Sequence, residues 1–286
     1  MNASPQTTMA ELPESEVTGE LARIYEEIRV YCGVPYVSSL QRHVATMPGC
    51  LEYAWAACRP AFLDGTIPAT AWRRVNMVSV SPFPPLTSAA LQLMGVDANG
   101  IRAIRNICDN FTRVSPINLL FAGCVERLID GAVLGGPDVA RPSGTPPDML
   151  PPMPAMIDVD DTDKDIASVL MQLRTEIGGK PFVPGLYRCL AHWPAYLAHA
   201  ATLIEPMLND DTARQARASI AEAIIAAADD IIASLPPVPA GYTPPTAEQG
   251  RAIVGAIKTY RVTSPEMVVF GSLLRDALPA KDEEGE

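Results

Sequence analysis

Apolar residues recur at helical spacing through two stretches of this chain, and an aperiodic, proline-rich stretch lies between them. Leu21, Ile24, Ile28 and Tyr31 share one stripe, with acidic residues near its start and Gly33 at its end, which predicts a first helix. Pro35 and Pro48 are each expected to open a short helix, because proline is tolerated in a first turn. "TAWRRVNMVSV", "SAALQLM" and "DANGIRAIRNICDNF" predict three more helices, and "SPINLLFAGCVERLIDG" the clearest one, with Ile117, Leu120, Cys124 and Leu128 on a stripe. Beyond the proline-rich stretch, "DIASVLMQLRTEIGG", "PAYLAHAATLIEPML", "ASIAEAIIAAADDIIASL", "TAEQGRAIVGAIKTY" and "RVTSPEMVVFGSLLRDAL" again read as helices.

The second set of helices echoes the first. "VPYVSSLQRHVATMP" returns as "KPFVPGLYRCLAHWP", pairing Pro35 with Pro181, Val37 with Val183, Leu40 with Leu186, Arg42 with Arg188 and Pro48 with Pro194. The "RVSPINLLFAGC" phrase returns as "RVTSPEMVVFGS", pairing Pro116 with Pro265. A period this long is not that of a solenoid. It predicts an all-α chain of two tandem helical repeats that form an intramolecular pseudo-two-fold dimer around a central pocket. The expected organisation is a mobile N-terminal arm (1–17), helical repeat 1 (18–131), a proline-rich linker (132–162), helical repeat 2 (163–279) and an acidic tail (280–286). The linker holds seven prolines and no periodicity, so it reads as an extended tether.

Composition narrows the function classes. Abundant alanine with only 6% aromatics suits closely packed helices. A formal net charge of -11 argues against a nucleic-acid partner and against an anionic membrane surface. The N-terminus has no apolar signal region and no run reaches the roughly 20 apolar residues of a membrane span, so the expected location is cytoplasmic. The six cysteines form no CxxC pair and are expected buried and reduced. "DVDDTDKD" lacks the glycine and downstream glutamate of a calcium loop and reads as a helix cap; no metal is expected.

Common catalytic motifs are missing: no GxSxG, Walker loop, GxGxxG or HExxH occurs. His43 and His192 lie near the repeated phrase, each a general-base candidate and equally an ordinary side chain. Ser115-Pro116 and Ser264-Pro265 read as helix caps whose N–H groups would also suit an anion. Arg42 and Arg188, one in each copy, suit either a ligand carboxylate or structural ion pairs.

The chain resembles the group I 2-haloacid dehalogenases, which hydrolyse both enantiomers of 2-haloacids. The resemblance is carried by "VTGELARIYEEIRVYCGVPYV", "ATMPGCLEYAW", "SPINLL" and "LAHWP" and covers nearly the whole length. It implies an all-helical tandem-repeat fold and a reaction in which an aspartate activates a water that attacks the halogen-bearing carbon, without metal or cofactor. The family aspartate falls at Leu186 and its neighbouring serine at Gly185; from Ile177 to Ile204 there is no Asp or Glu at all. The family asparagine falls at Ser115, two aromatic positions become Tyr36 and Ser39, and Tyr260 is kept with Met267 following it. These seven are the expected substrate-binding residues, with Asp109 and His43 as candidate replacement bases. The expected function is a cofactor-independent enzyme on this scaffold, turned to a larger, more apolar substrate by cyclisation, isomerisation or elimination in secondary metabolism. The alternatives are a dehalogenase with a displaced base and a non-catalytic small-molecule binder. A second copy of the chain is a candidate partner.

Overall fold

A computed structural model describes residues 10–75, 80–137, 143–177 and 180–280, the Lys180 side chain excepted. The chain is all-α, with eleven helices and one short hairpin among the described residues. The helices are α1 (Gly19–Cys32), α2 (Ser39–Val44), α3 (Cys50–Leu63), α4 (Thr66–Arg74), α5 (Ser88–Leu93), α6 (Ala98–Ile129), α7 (Lys164–Gln172), α8 (Gly185–Leu190), α9 (Pro194–Leu208), α10 (Asp211–Ser234) and α11 (Ala247–Asp276). The hairpin joins β1 (Thr175–Ile177) to β2 (Lys180–Phe182), antiparallel, with Thr175 opposite Phe182.

Two long helices organise the core. α6 spans 32 residues and α11 spans 30; they pack against each other, and α10 lies on both. Both begin at strong caps. Asp97 accepts from the Gly100 amide, and Thr246 with Gln249 forms a reciprocal capping box. The short helices α2 and α8 sit against α11 and α6 respectively. All six cysteines are buried and none is in a disulfide.

Several expectations need correction. Pro116 and Pro265 do not start helices; they lie inside α6 and α11. The apolar stripes on either side of each proline stay in phase, so one helix runs through both predicted segments. Each proline lacks the N–H that would meet the carbonyl four residues back, here those of Thr112 and Arg261. Pro35 and Pro48 also stand outside helices, since α2 begins at Ser39 and α3 follows Gly49, which takes a φ of 80°. Pro194 alone of the repeated set opens a helix. "DIASVLMQLRTEIGG" is not one helix, because α7 stops at Gln172 and β-branched Thr175 and Ile177 enter the hairpin. In "DVDDTDKD", Asp163 caps α7 by accepting from the Asp165 amide.

The described residues of the arm and of the linker are docked. Leu12 N–H donates to Arg42 O at 3.0 Å and Tyr25 Oη donates to Leu12 O at 3.1 Å. Glu14 accepts from the Val37 amide at 2.8 Å and pairs with Arg29. The described residues 143–157 are bonded to the body: Gly144 N–H to Leu63 O at 2.7 Å, Leu150 N–H to Gly33 O at 3.0 Å, Asn110 Nδ2 to Pro151 O at 3.0 Å and Ile157 N–H to Arg188 O at 3.2 Å. Of the tail expected at 280–286, only residue 280 lies within the described residues, as do only residues 10–17 of the arm.

Candidate functional site

A cavity of about 100 Å³ opens where the proline-bearing segments of α6 and α11 meet α2, α8 and two chain segments, 10–12 and 155–157. From α6 come Phe111, Val114, Ser115 and Asn118; from α11 and its neighbourhood come Tyr260, Thr263, Ser264 and Met267. Pro116 and Pro265 each interrupt their helix's hydrogen-bond ladder beside these lining residues.

Six of the seven expected binding residues line this cavity: Tyr36, Ser39, Ser115, Gly185, Tyr260 and Met267. Leu186 does not. It is fully buried beneath the wall, and its side chain approaches Gly271 of α11, where a Cβ would lie 3.9 Å from Leu186 Cδ2. The candidate bases also lie elsewhere. Asp109 pairs with Arg275 at 3.7 Å, and His43 Nδ1 donates to Ala10 O at 2.8 Å; neither lines the cavity. His192 makes a similar bond, Nε2 to Ala155 O at 2.8 Å.

The cavity is small, and its polar groups are more numerous than the sequence suggested. An amide is present after all: Asn118, one turn beyond Ser115, is 3% exposed and fully engaged. Its Oδ1 accepts from Gln41 Nε2 at 2.8 Å and its Nδ2 donates to Ser38 Oγ at 2.6 Å, so it is held rigid. Gly185 leaves no open room in the cavity wall. A Cβ at that position would meet Met156 Sδ at 2.7 Å and the Phe111 ring at 3.0 Å, so those two side chains occupy the room a larger residue would need. Met156 comes from the aperiodic linker, where no sequence signal pointed to a pocket residue.

Burial pushes the Tyr36 and Tyr260 hydroxyls well above the ordinary phenol value, so both stay protonated. Tyr260 is hydrogen-bonded to Ser39, whereas Tyr36 Oη is buried with no partner. A buried donor without a partner costs about 1–3 kcal/mol, which a ligand acceptor would recover.

The two arginines differ. Arg42 Nη2 pairs with Glu11 Oε2 at 2.5 Å. Arg188 donates through Nε to Ile157 O at 2.8 Å and has no carboxylate partner among the described residues. The surroundings explain the difference. Leu12 N–H bonds Arg42 O as Ile157 N–H bonds Arg188 O, and Ala10 and Ala155 each accept from a histidine. The residue between them is Glu11 in one segment and Met156 in the other, and both line the cavity. The wall thus carries a carboxylate bonded to Arg42 in one segment and a thioether at the corresponding place in the other.

An all-α scaffold with a small, partly charged cavity at a helix crossing defines a small-molecule site. No family model matches the chain. It is 24% identical over 226 residues to an (R)-2-haloacid dehalogenase of Pseudomonas putida, covering 76% of this chain and 75% of that protein. It is 26% identical over 195 residues to a configuration-inverting 2-haloacid dehalogenase of Alcaligenes xylosoxydans xylosoxydans, covering 65% of each. Among solved structures, a D-2-haloacid dehalogenase in complex with L-LA superposes with a TM-score of 0.71 at 21% identity, over 96% of this chain and 100% of that one. A mutant D-2-haloacid dehalogenase with D-2-CPA gives 0.72 at 19% identity, over 96% and 99%. The chain has the all-α D-2-haloacid dehalogenase fold on a 2-haloacid-dehalogenase-like scaffold. These relatives correct the resemblance to the group I enzymes that act on both enantiomers, since their names specify one configuration or its inversion. The phrases that carried the resemblance lie mostly in α1, α3, α6 and the α8–α9 turn.

Proposed function

We infer that the protein is a small-molecule enzyme whose substrate is a short-chain carboxylate substituted at its second carbon. The observation that carries this reading is Arg188, a guanidinium in the cavity wall without a carboxylate partner among the described residues. A guanidinium left without a counter-charge in a partly enclosed wall favours an anion, and the planar fork suits a carboxylate. The unpartnered Tyr36 hydroxyl supplies a further donor. The apolar walls from Phe111, Val114, Phe182 and Met267 suit a short alkyl chain. Size argues against the larger, more apolar substrate expected from the sequence: a dry cavity of ~150 Å³ holds benzene, and this one is about 100 Å³.

The test is isothermal titration with propionate, an unreactive mimic. Wild-type protein is expected to bind it at millimolar concentration, and Arg188→Gln to weaken binding about tenfold or more, the range for losing a charge-assisted hydrogen bond. Equal binding by both proteins would remove Arg188 from this role. A bound acid returned unchanged from every incubation with 2-substituted propionates would favour a binder.

A further inference from the structure

We propose that Glu11, carried into the cavity by the docked N-terminal segment, is the general base of this site, acting on a water that displaces the 2-substituent of the carboxylate held by Arg188. This rests on the carboxylate reading above and goes beyond it by assigning the acid–base group.

The titratable groups of the cavity leave one choice. Glu11 is the only Asp or Glu among the described residues that line it. The guanidinium groups of Arg42 and Arg188 are donors with no acceptor to offer a water proton, and Tyr36 and Tyr260 are kept protonated by burial. The two candidates suggested by spacing, Asp109 and His43, do not reach the cavity.

Glu11 is also held as a base needs to be. Residue 42 holds the segment twice, through its carbonyl to the Leu12 amide and through its guanidinium to Glu11 Oε2. Tyr25 fixes Leu12 O and His43 fixes Ala10 O on either side. Glu11 Oε1 has no partner among the described residues and is left to accept a proton from water. The Ala10–Leu12 and Ala155–Ile157 segments make matching bonds to Arg42 and Arg188, so Glu11 and Met156 are counterparts across the cavity. The anion anchor without a carboxylate lies on the Met156 side, and the carboxylate lies on the other. A short acid anchored at Arg188 then has its second carbon in the gap between them.

The step balances without a cofactor. Water oxygen forms the new C–O bond at the second carbon as the bond to the leaving group breaks, and that group departs with the electron pair as halide. The water proton passes to Glu11 and then to solvent. A 2-haloacid and water give a 2-hydroxyacid, halide and a proton.

The experiment measures halide release from each enantiomer of 2-chloropropionate, beside propionate binding, for wild type, Glu11→Gln and Glu11→Asp. Wild type is expected to release chloride from at least one enantiomer. Glu11→Gln should lose about 10²-fold or more in kcat with propionate affinity within about threefold of wild type, and Glu11→Asp, which keeps the carboxylate, should recover part of the rate. Circular dichroism melts establish that both variants fold. Undiminished kcat in Glu11→Gln overturns the proposal. Wild type that binds propionate and releases no halide overturns it while leaving the Arg188 anchor standing; wild type that binds no propionate overturns both.

Discussion

Tyr187 Oη donates a 2.8 Å hydrogen bond to Glu266 Oε1, joining α8 to α11 in the interior. Thr175 Oγ1 of the hairpin donates to the other oxygen at 3.0 Å, and the Arg217 charge acts on the same carboxylate. Gln41, the residue matched to Tyr187 in the first copy, makes the analogous bond to Asn118 of α6. Each short helix is thus pinned by one polar side chain to a long helix, α2 to α6 and α8 to α11, close to that helix's proline. Burial pushes the Glu266 carboxyl up, and its two hydrogen bonds and Arg217 only partly offset this. Because the folded state then holds the proton more tightly than the unfolded one, stability falls as pH rises from the ordinary value of 4.5 through the raised one.

Glu266→Gln should therefore gain on wild type as pH rises through that window, because the amide keeps an acceptor for Tyr187 and has no proton to lose. Urea denaturation of both proteins from pH 4.5 upward reads the difference. A constant gap across the range would show that Glu266 does not titrate differently in the folded state. Tyr187→Phe, which strips one donor from a buried carboxylate, should cost about 1–3 kcal/mol.

Gly185 is confined by its neighbours. Gly185→Ala would drive a methyl to 2.7 Å from Met156 Sδ and 3.0 Å from the Phe111 ring. The overpacked variant should lose about 1–3 kcal/mol and weaken propionate binding. Met156 is the unbranched, adaptable partner, so Met156→Ala should recover much of that loss, with a coupling of about 0.5 kcal/mol or more in a double-mutant cycle of thermal melts. Strictly additive effects would mean that the two residues do not compete for this space.

Restoring an aspartate at the position implied by the resemblance should fail. Leu186 is fully buried and does not border the cavity. Leu186→Asp would place a carboxylate in the interior, on the side facing Gly271 of α11. The variant should be destabilised by several kcal/mol and gain no halide release. A folded Leu186→Asp protein with new dehalogenation would show that the side chain turns into the cavity.

Much of the fold was legible because helical periodicity survives substitution. The stripe from Ile117 to Leu128 named α6, and the echo of Pro35–Pro48 in Pro181–Pro194 found α2, α3, α8 and α9 with their order. Helix boundaries were less legible. A serine-proline pair reads locally as a helix start, and only the phase of apolar residues on both sides reveals that the helix continues through Pro116 and Pro265. The candidate site was half legible for a related reason. Six of seven residues were found because they lie on the periodic elements or beside them. Glu11, Met156 and the freedom of Arg188 were not, because two extended segments with no period of their own bring them in through backbone hydrogen bonds. A weak trace was present: "AEL" at 10–12 and "AMI" at 155–157 stand at nearly the offset of the main repeat.

A second polar cluster, between α1 and α3, has a pH response that runs the opposite way. Glu27 of α1 takes Arg59 Nε on Oε2 and Arg59 Nη2 on Oε1, both at 2.8 Å, and Trp55 Nε1 on Oε2 at 2.7 Å, all from α3. Burial pushes the carboxyl up, but the Arg59 and Trp55 hydrogen bonds outweigh it, so Glu27 sits below the usual value of 4.5. The stabilisation is fully present above 4.5 and is lost as pH falls through the lower folded value. Glu27→Gln should cost about 1–3 kcal/mol at neutral pH, since it removes the charge from a bidentate pair and turns one acceptor into a donor facing Arg59 or Trp55. The gap to wild type should shrink steadily below pH 4.5, as protonation does to wild type what the substitution does permanently. Chemical denaturation at stepped pH measures it, and a gap that persists into strong acid would locate the stabilisation in α1–α3 packing instead of in the ionised carboxylate.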